Sequence, residues 1–219
     1  MQTRTRPDTA ADARRLRTAF GITVSLALLF WVVKFIEVAG DLELTRFGIY
    51  PRSVGGLAGV LFAPFIHASF THLFANTAPF VVIGTMLFYG YPRALKLLLP
   101  SLYLGGGAAV WLFAREAYHI GVSGIIFGML FFVLTIGALR WDRRAIALSM
   151  VVFLLYGGMV WGILPTLDEV SFESHLSGAL IGLVLAFLLK NRDPEPPRKR
   201  YSWELEEAET DDFYWPDRF

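Results

Sequence analysis

The 219-residue chain has no cysteine, which excludes disulfides, thiolate-bound zinc and thiol catalysis. Charge is scarce: only 18% of the residues are Asp, Glu, Lys or Arg, against roughly 25% in soluble globular domains. The net charge of +1 offers no basic surface for a nucleic acid. Histidine is limited to His67, His72, His119 and His175. None is followed by Glu, so the His-Glu-x-x-His helix of a zinc protease is missing, and neither a metal nor a cofactor is expected.

Apolar side chains are abundant instead. Hydrophobic residues make up 55% of the chain, with 19 Phe and 6 Trp, and the mean hydropathy is +0.50. Six apolar segments occupy residues 18–39, 70–89, 94–114, 122–139, 145–163 and 175–189. All but the last approach the roughly 20 residues a helix needs to cross a bilayer core. The last, with 15 residues, reaches only about 22 Å at 1.5 Å per residue, so it needs flanking residues or a recessed start. The fold expected is an all-α, polytopic bundle of six transmembrane helices.

Cations orient the bundle. Arg4, Arg6, Arg14, Arg15 and Arg17 precede the first segment. On the same side fall Arg93 and Lys96, then Arg140, Arg143 and Arg144, then Lys190, Arg192, Arg198, Lys199 and Arg200. The opposite side holds only Arg46, Arg52 and Arg115, and the loop at 164–174 carries Asp168, Glu169 and Glu173 without a cation. Both termini are therefore expected in the cytoplasm. The chain divides into a cytoplasmic segment (1–17), a six-span membrane domain (18–189) and a tail (190–219). Pro194, Pro196 and Pro197 and a run of acidic residues give the tail a disordered composition, with a docking role for Phe213, Tyr214 and Trp215 as the alternative. The first segment is too long for a signal-peptide core and lacks a cleavage site, so it reads as a retained span. A bacterial plasma membrane suits these features. Residues 40–64, a long glycine- and aromatic-bearing connection, suit the membrane interface.

Polar residues inside such spans are expensive and are functional candidates. Ser123 lies between Gly121 and Gly124 at the start of the fourth span. Serine in a membrane helix is commonly packing glue, so this signal alone is weak. His175 starts the sixth span, with Gly178 and Gly182 on its face. Gly124 and Gly128 form the same Gly-x-x-x-Gly device on the fourth span, and if the two faces pack, Ser123 and His175 meet near the outer membrane surface. Neutral histidine is the side chain suited to take a serine proton. His72 and Asn76, four apart on one helical face, are either a packing pair or, with the Ser123 backbone N–H, donors to an oxyanion. No third acid is evident, since Asp168, Glu169 and Glu173 read as solvated; a dyad follows. His67 reads as a brace for the preceding loop, and His119 as a solvated loop residue.

With these residues placed, the chain resembles the rhomboid family of intramembrane serine proteases over residues 64–189. The resemblance rests on His67-Ala68-Ser69-Phe70-Thr71-His72-Leu73-Phe74-Ala75-Asn76, on Gly121-Val122-Ser123-Gly124 and on His175-Leu176-Ser177-Gly178-Ala179-Leu180-Ile181-Gly182. It implies Ser123 as nucleophile, His175 as general base and His72 with Asn76 as oxyanion hole. It further implies that residues 40–64 dip into the membrane, that the fifth span with its loop gates a substrate helix, and that the partners are transmembrane proteins in the lipid bilayer. Where many relatives carry a Tyr stacked on the histidine, this chain has Phe127, which keeps the ring and loses the hydroxyl. The competing readings are a catalytically inactive rhomboid-like protein that binds membrane helices, and a transporter. A transporter would place its polar residues nearer mid-membrane.

Overall fold

The computed structural model describes residues 9–165 and 170–194. Among them, six helices are long and apolar enough to cross a membrane, and the only β-type pairing is an isolated bridge between Ile49 and His119. Helices dominate because a bilayer offers no partner for an unpaired backbone group.

The first span is α1, Thr9–Ala39. It begins well before the apolar segment, so Arg14, Arg15 and Arg17 lie on its first turns. A linker of short helical pieces follows: 3-10 turns at Leu44–Phe47 and Gly55–Ala58, α2 at Gly59–Phe62, and a last 3-10 turn at Ala63–Phe65. The second span is α3, Phe70–Gly90, capped by Ser69, whose hydroxyl accepts the His72 N–H at 3.1 Å. The third span joins α4 (Pro92–Pro100) to α5 (Gly106–Phe113) through a π turn at Ser101–Gly105. The fourth is α6, Ser123–Arg140, and the fifth is α7, Arg143–Tyr156, continued by a 3-10 stretch at Gly157–Ile163.

The sixth span, α8, covers Phe172–Leu189. Its 18 residues reach about 27 Å, so the deficit expected from the shorter apolar segment disappears. The helix simply starts three residues before His175, at the Ser171 cap. Asp168 and Glu169 lie outside the described residues, as do Arg4, Arg6 and the segment from residue 195 onward, with Phe213, Tyr214 and Trp215.

Helix α6 is the axis of the bundle. Ile126, Leu130, Phe132 and Val133 are wholly buried, and α3, α7, α8 and the third span surround them. Its most extensive partner is α8. Glycine makes that pairing possible: a Cβ on Gly178 would overlap the Gly124 carbonyl, and one on Gly182 would overlap the Gly128 carbonyl. The fifth span contrasts with α6. On α7 only Ala145 and Val152 are buried, while Phe153, Leu154 and Leu155, and Trp161 in the 3-10 stretch that follows, face outward.

At the end opposite Ser123, Asp142 caps α7 and pairs with Arg140 at 2.7 Å. Residues 190–194, assigned on sequence to the tail, pack there: Asp193 accepts the N–H groups of Arg93 and Ala94 at 2.9 Å each, and Arg140 donates to the carbonyls of Lys190 and Asp193.

Candidate active site

Ser123 is the first residue of α6, where backbone N–H groups lack helical acceptors. Gly121, two residues earlier, has φ +98, a left-handed conformation that disfavours any side chain. A Cβ there would also press on the His72 ring at 3.0 Å and approach Asn76 Nδ2 at 3.8 Å. Glycine thus lets the turn before Ser123 lie directly against the two candidate oxyanion donors. The Gly121 N–H donates to the Ala63 carbonyl at 2.8 Å, which ties the turn to the first linker.

The close approach of α6 and α8 brings Ser123 Oγ to 2.8 Å from His175 Nε2, and both residues are buried. His175 Nδ1 lies 2.9 Å from the Gly162 carbonyl. A carbonyl only accepts, so the network assigns the proton to Nδ1 and leaves Nε2 as a lone pair for the serine O–H. Phe127 stacks on the imidazole with ring centroids 4.0 Å apart and planes 4° from parallel. The ring face expected of this position is therefore present without the hydroxyl.

His72 and Asn76 follow one another on α3, opposite the Gly121 turn. Asn76 Nδ2 is buried and has no hydrogen-bond partner. Such a group costs about 1–3 kcal/mol unless something completes it. Nδ2 lies against the Gly121 turn, two residues before Ser123, which makes it a candidate donor to a group held there. A cavity of about 40 Å³ lined by Gly121, Gly124, His119 and Ser174, among others, has room for water nearby.

The segment leading into α3 is braced from the first span. Lys34 Nζ pairs with Glu37 at 2.8 Å and donates to the His67 and Ala68 carbonyls at 3.0 and 3.3 Å. Opposite charges three apart near the end of an apolar segment are the signal that was available. His67 is 1% exposed and sits edge-on against His72, with ring centroids 5.1 Å apart. Burial, and next the neighbouring His72, lower its imidazole from 6.5 to about 4.

Two expectations are corrected. His119 is not solvated: it is 2% exposed, with Nδ1 2.6 Å from Ser171 Oγ and Nε2 3.0 Å from the Arg115 carbonyl. Glu173 is not a free loop residue: it sits in the first turn of α8, 3.6 Å from the Arg115 guanidinium. Both lie where the third and fifth loops meet, a contact between segments about 50 residues apart. Among the described residues, no group of His, Asp and Glu could hold a metal ion.

The sequence profile of the Rhomboid domain matches residues 54–192. An uncharacterized protein of Mycobacterium tuberculosis is 36% identical over 197 residues, covering 85% of this chain and 82% of its own length. One from Mycobacterium leprae is 33% identical over 219 residues, covering 94% and 83%. Rhomboid-like protein 11, chloroplastic, of Arabidopsis thaliana is 33% identical over 188 residues, covering 74% and 65%. No solved structure matches. With a Rhomboid domain over more than half its length and six helices able to span a bilayer, the chain is an integral membrane protein of the rhomboid family.

Proposed function

We propose that this protein is an intramembrane serine endopeptidase that cleaves within or beside transmembrane helices of other membrane proteins. One observation carries the reading: a buried serine hydroxyl 2.8 Å from a histidine nitrogen whose opposite nitrogen is 2.9 Å from a carbonyl. That arrangement presents the imidazole as a base to the one group it can activate.

In the proposed reaction His175 Nε2 takes the Ser123 proton as Oγ attacks the scissile carbonyl carbon. The oxyanion formed is held by Asn76 Nδ2, the His72 imidazole and the Ser123 backbone N–H. The C–N bond then breaks, the amine leaves with the proton from His175, and an acyl-enzyme remains. Water, deprotonated by the same histidine, attacks the ester and regenerates Ser123. The Gly162 carbonyl takes the orienting part that an aspartate has in a triad, holding the tautomer and favouring the imidazolium by a single hydrogen bond.

The substrate helix is proposed to arrive past the fifth span, whose sparse burial makes it the span most easily displaced. The cation distribution supports a site near the extracytoplasmic surface, with both termini cytoplasmic and residues 18–189 as the membrane domain between them. The relatives in mycobacteria support a bacterial plasma membrane.

Co-reconstitution with a single-span membrane protein carrying small and helix-breaking residues near its outer end tests the reading. Mass spectrometry should find two products from one peptide bond with the wild type and none with Ser123→Ala. Equal cleavage by both proteins contradicts it.

A further inference from the structure

A serine–histidine hydrogen bond joins the fourth and sixth spans, and a second joins the loop entering the fourth span to the cap of the sixth. His119 precedes Ser123 by four residues, and Ser171 precedes His175 by four. His119 Nδ1 is 2.6 Å from Ser171 Oγ, as His175 Nε2 is 2.8 Å from Ser123 Oγ, with the two residue types exchanged between the segments.

The upstream pair has a complete set of partners. Nε2 of His119 faces the Arg115 carbonyl at 3.0 Å and so carries the proton. Nδ1 then accepts from the Ser171 hydroxyl, whose oxygen accepts from the Ser174 hydroxyl at 2.7 Å. Ser171 is also the helix cap of α8, accepting the Ser174 N–H. The His119 backbone exchanges two hydrogen bonds with Ile49, at 3.0 and 2.9 Å. Beside them Arg115 donates to the Val170 carbonyl at 2.9 Å and pairs with Glu173. A hydroxyl with these partners, beside a histidine 2% exposed, is a fastening and not a second nucleophile.

The need for a fastening follows from the glycine face. Small residues set how closely α6 and α8 approach but resist sliding and rotation poorly. A polar pair at one height fixes register, as a buried Asn does in a coiled coil. The Ser174 carbonyl would be only 2.9 Å from a Cβ on Gly124, so the first turn of α8 rests on α6 at the level of the site. A one-residue slip moves a helix by about 1.5 Å, whereas a reacting geometry tolerates about 0.5 Å.

We propose that His119 and Ser171 are positioning residues, a clamp between the loop entering α6 and the cap of α8 that holds α8 in register on α6 and so keeps His175 within reach of Ser123. This rests on the reading of Ser123 and His175 as nucleophile and base.

The test compares full-length protein in detergent carrying His119→Phe, Ser171→Ala, both together, or Ser171→Thr, which keeps cap and hydroxyl. The readouts are kcat and KM on a transmembrane substrate and hydrogen exchange of residues 172–175. Each single loss should lower kcat by about 10-fold to 10²-fold, leave KM within about twofold and speed exchange. The double variant should be no worse than the poorer single one, because both remove the same bond, and Ser171→Thr should stay near wild type. Unchanged kcat, multiplying losses, a rise in KM alone or unaltered exchange each overturns the clamp. If His119→Phe does not fold, His119→Asn takes its place, since Oδ1 can stand where Nδ1 accepts. It should exceed Ser171→Ala in kcat, and equality contradicts the clamp. An inactive wild type would sink the functional reading instead, while the exchange data, which need no substrate, still decide the clamp.

Discussion

Nδ1 of His175 is 2.9 Å from the carbonyl oxygen of Gly162, so the candidate base takes its tautomer from the backbone of the least buried span. A Cβ on Gly162 would meet Phe127 Cζ at 2.6 Å and approach His175 Nδ1 to 3.5 Å. Gly162→Ala should push the fifth span off the Phe127–His175 stack. Overpacking costs about 1–3 kcal/mol, so kcat should fall about tenfold or more if the strain reaches the transition state. Steady-state kinetics on a transmembrane substrate check this, and a kcat equal to wild type would remove Gly162 from the account.

Asn76 Nδ2 is a buried donor awaiting an acceptor. Removing one oxyanion donor costs about 10²-fold in kcat. Asn76→Ala should show that loss with KM little altered, because the donor is used when charge develops on oxygen. Turnover at the wild-type rate would return Asn76 to the role of a packing residue.

The glycines allow a controlled comparison. A Cβ on Gly178 would overlap the Gly124 carbonyl, whereas one on Gly106 would meet nothing within 4 Å. Gly106→Ala should leave the thermal midpoint level or raise it, since alanine is favoured in a helix by about 1 kcal/mol. Gly178→Ala should lower it, by the equivalent of about 1–3 kcal/mol or more, because backbone cannot yield as a side chain does. Similar midpoints would mean that α6 and α8 do not pack as described.

His67 provides a pH dependence. Its folded-state value of about 4 lies below the ordinary 6.5, so the unfolded chain takes up the extra proton first. The stability it contributes is complete above 6.5 and is lost as the pH falls toward 4. Thermal midpoints should therefore fall over that interval in the wild type and fall less in His67→Leu. Parallel curves would show that His67 is not held neutral.

Much of this was legible because lipid narrows the possibilities. Six apolar runs have to be helices, and paired Gly-x-x-x-Gly faces predict that α6 and α8 touch, which brings Ser123 to His175. What stayed hidden belongs to the backbone or to contacts between loops. The Gly162 carbonyl has no signature in residue type, since every residue carries one. His119 and Glu173 looked solvated because a loop position says nothing about which other loop lies against it. Lys34 reaches the His67 and Ala68 carbonyls more than 30 residues away, and only the Glu37 half of that arrangement could be read from spacing. Phe127 was legible as a ring without a hydroxyl, and its stack on His175 needs only the ring.

Labelling with a fluorophosphonate reports on Ser123 itself, because it requires only an activated serine and no knowledge of the substrate. Purified protein in detergent is treated with the probe, and the adduct is located by mass spectrometry. One adduct is expected, on Ser123, absent from Ser123→Ala and lost from His175→Ala. Equal labelling of the wild type and Ser123→Ala, or full labelling of Ser123 in His175→Ala, would contradict it.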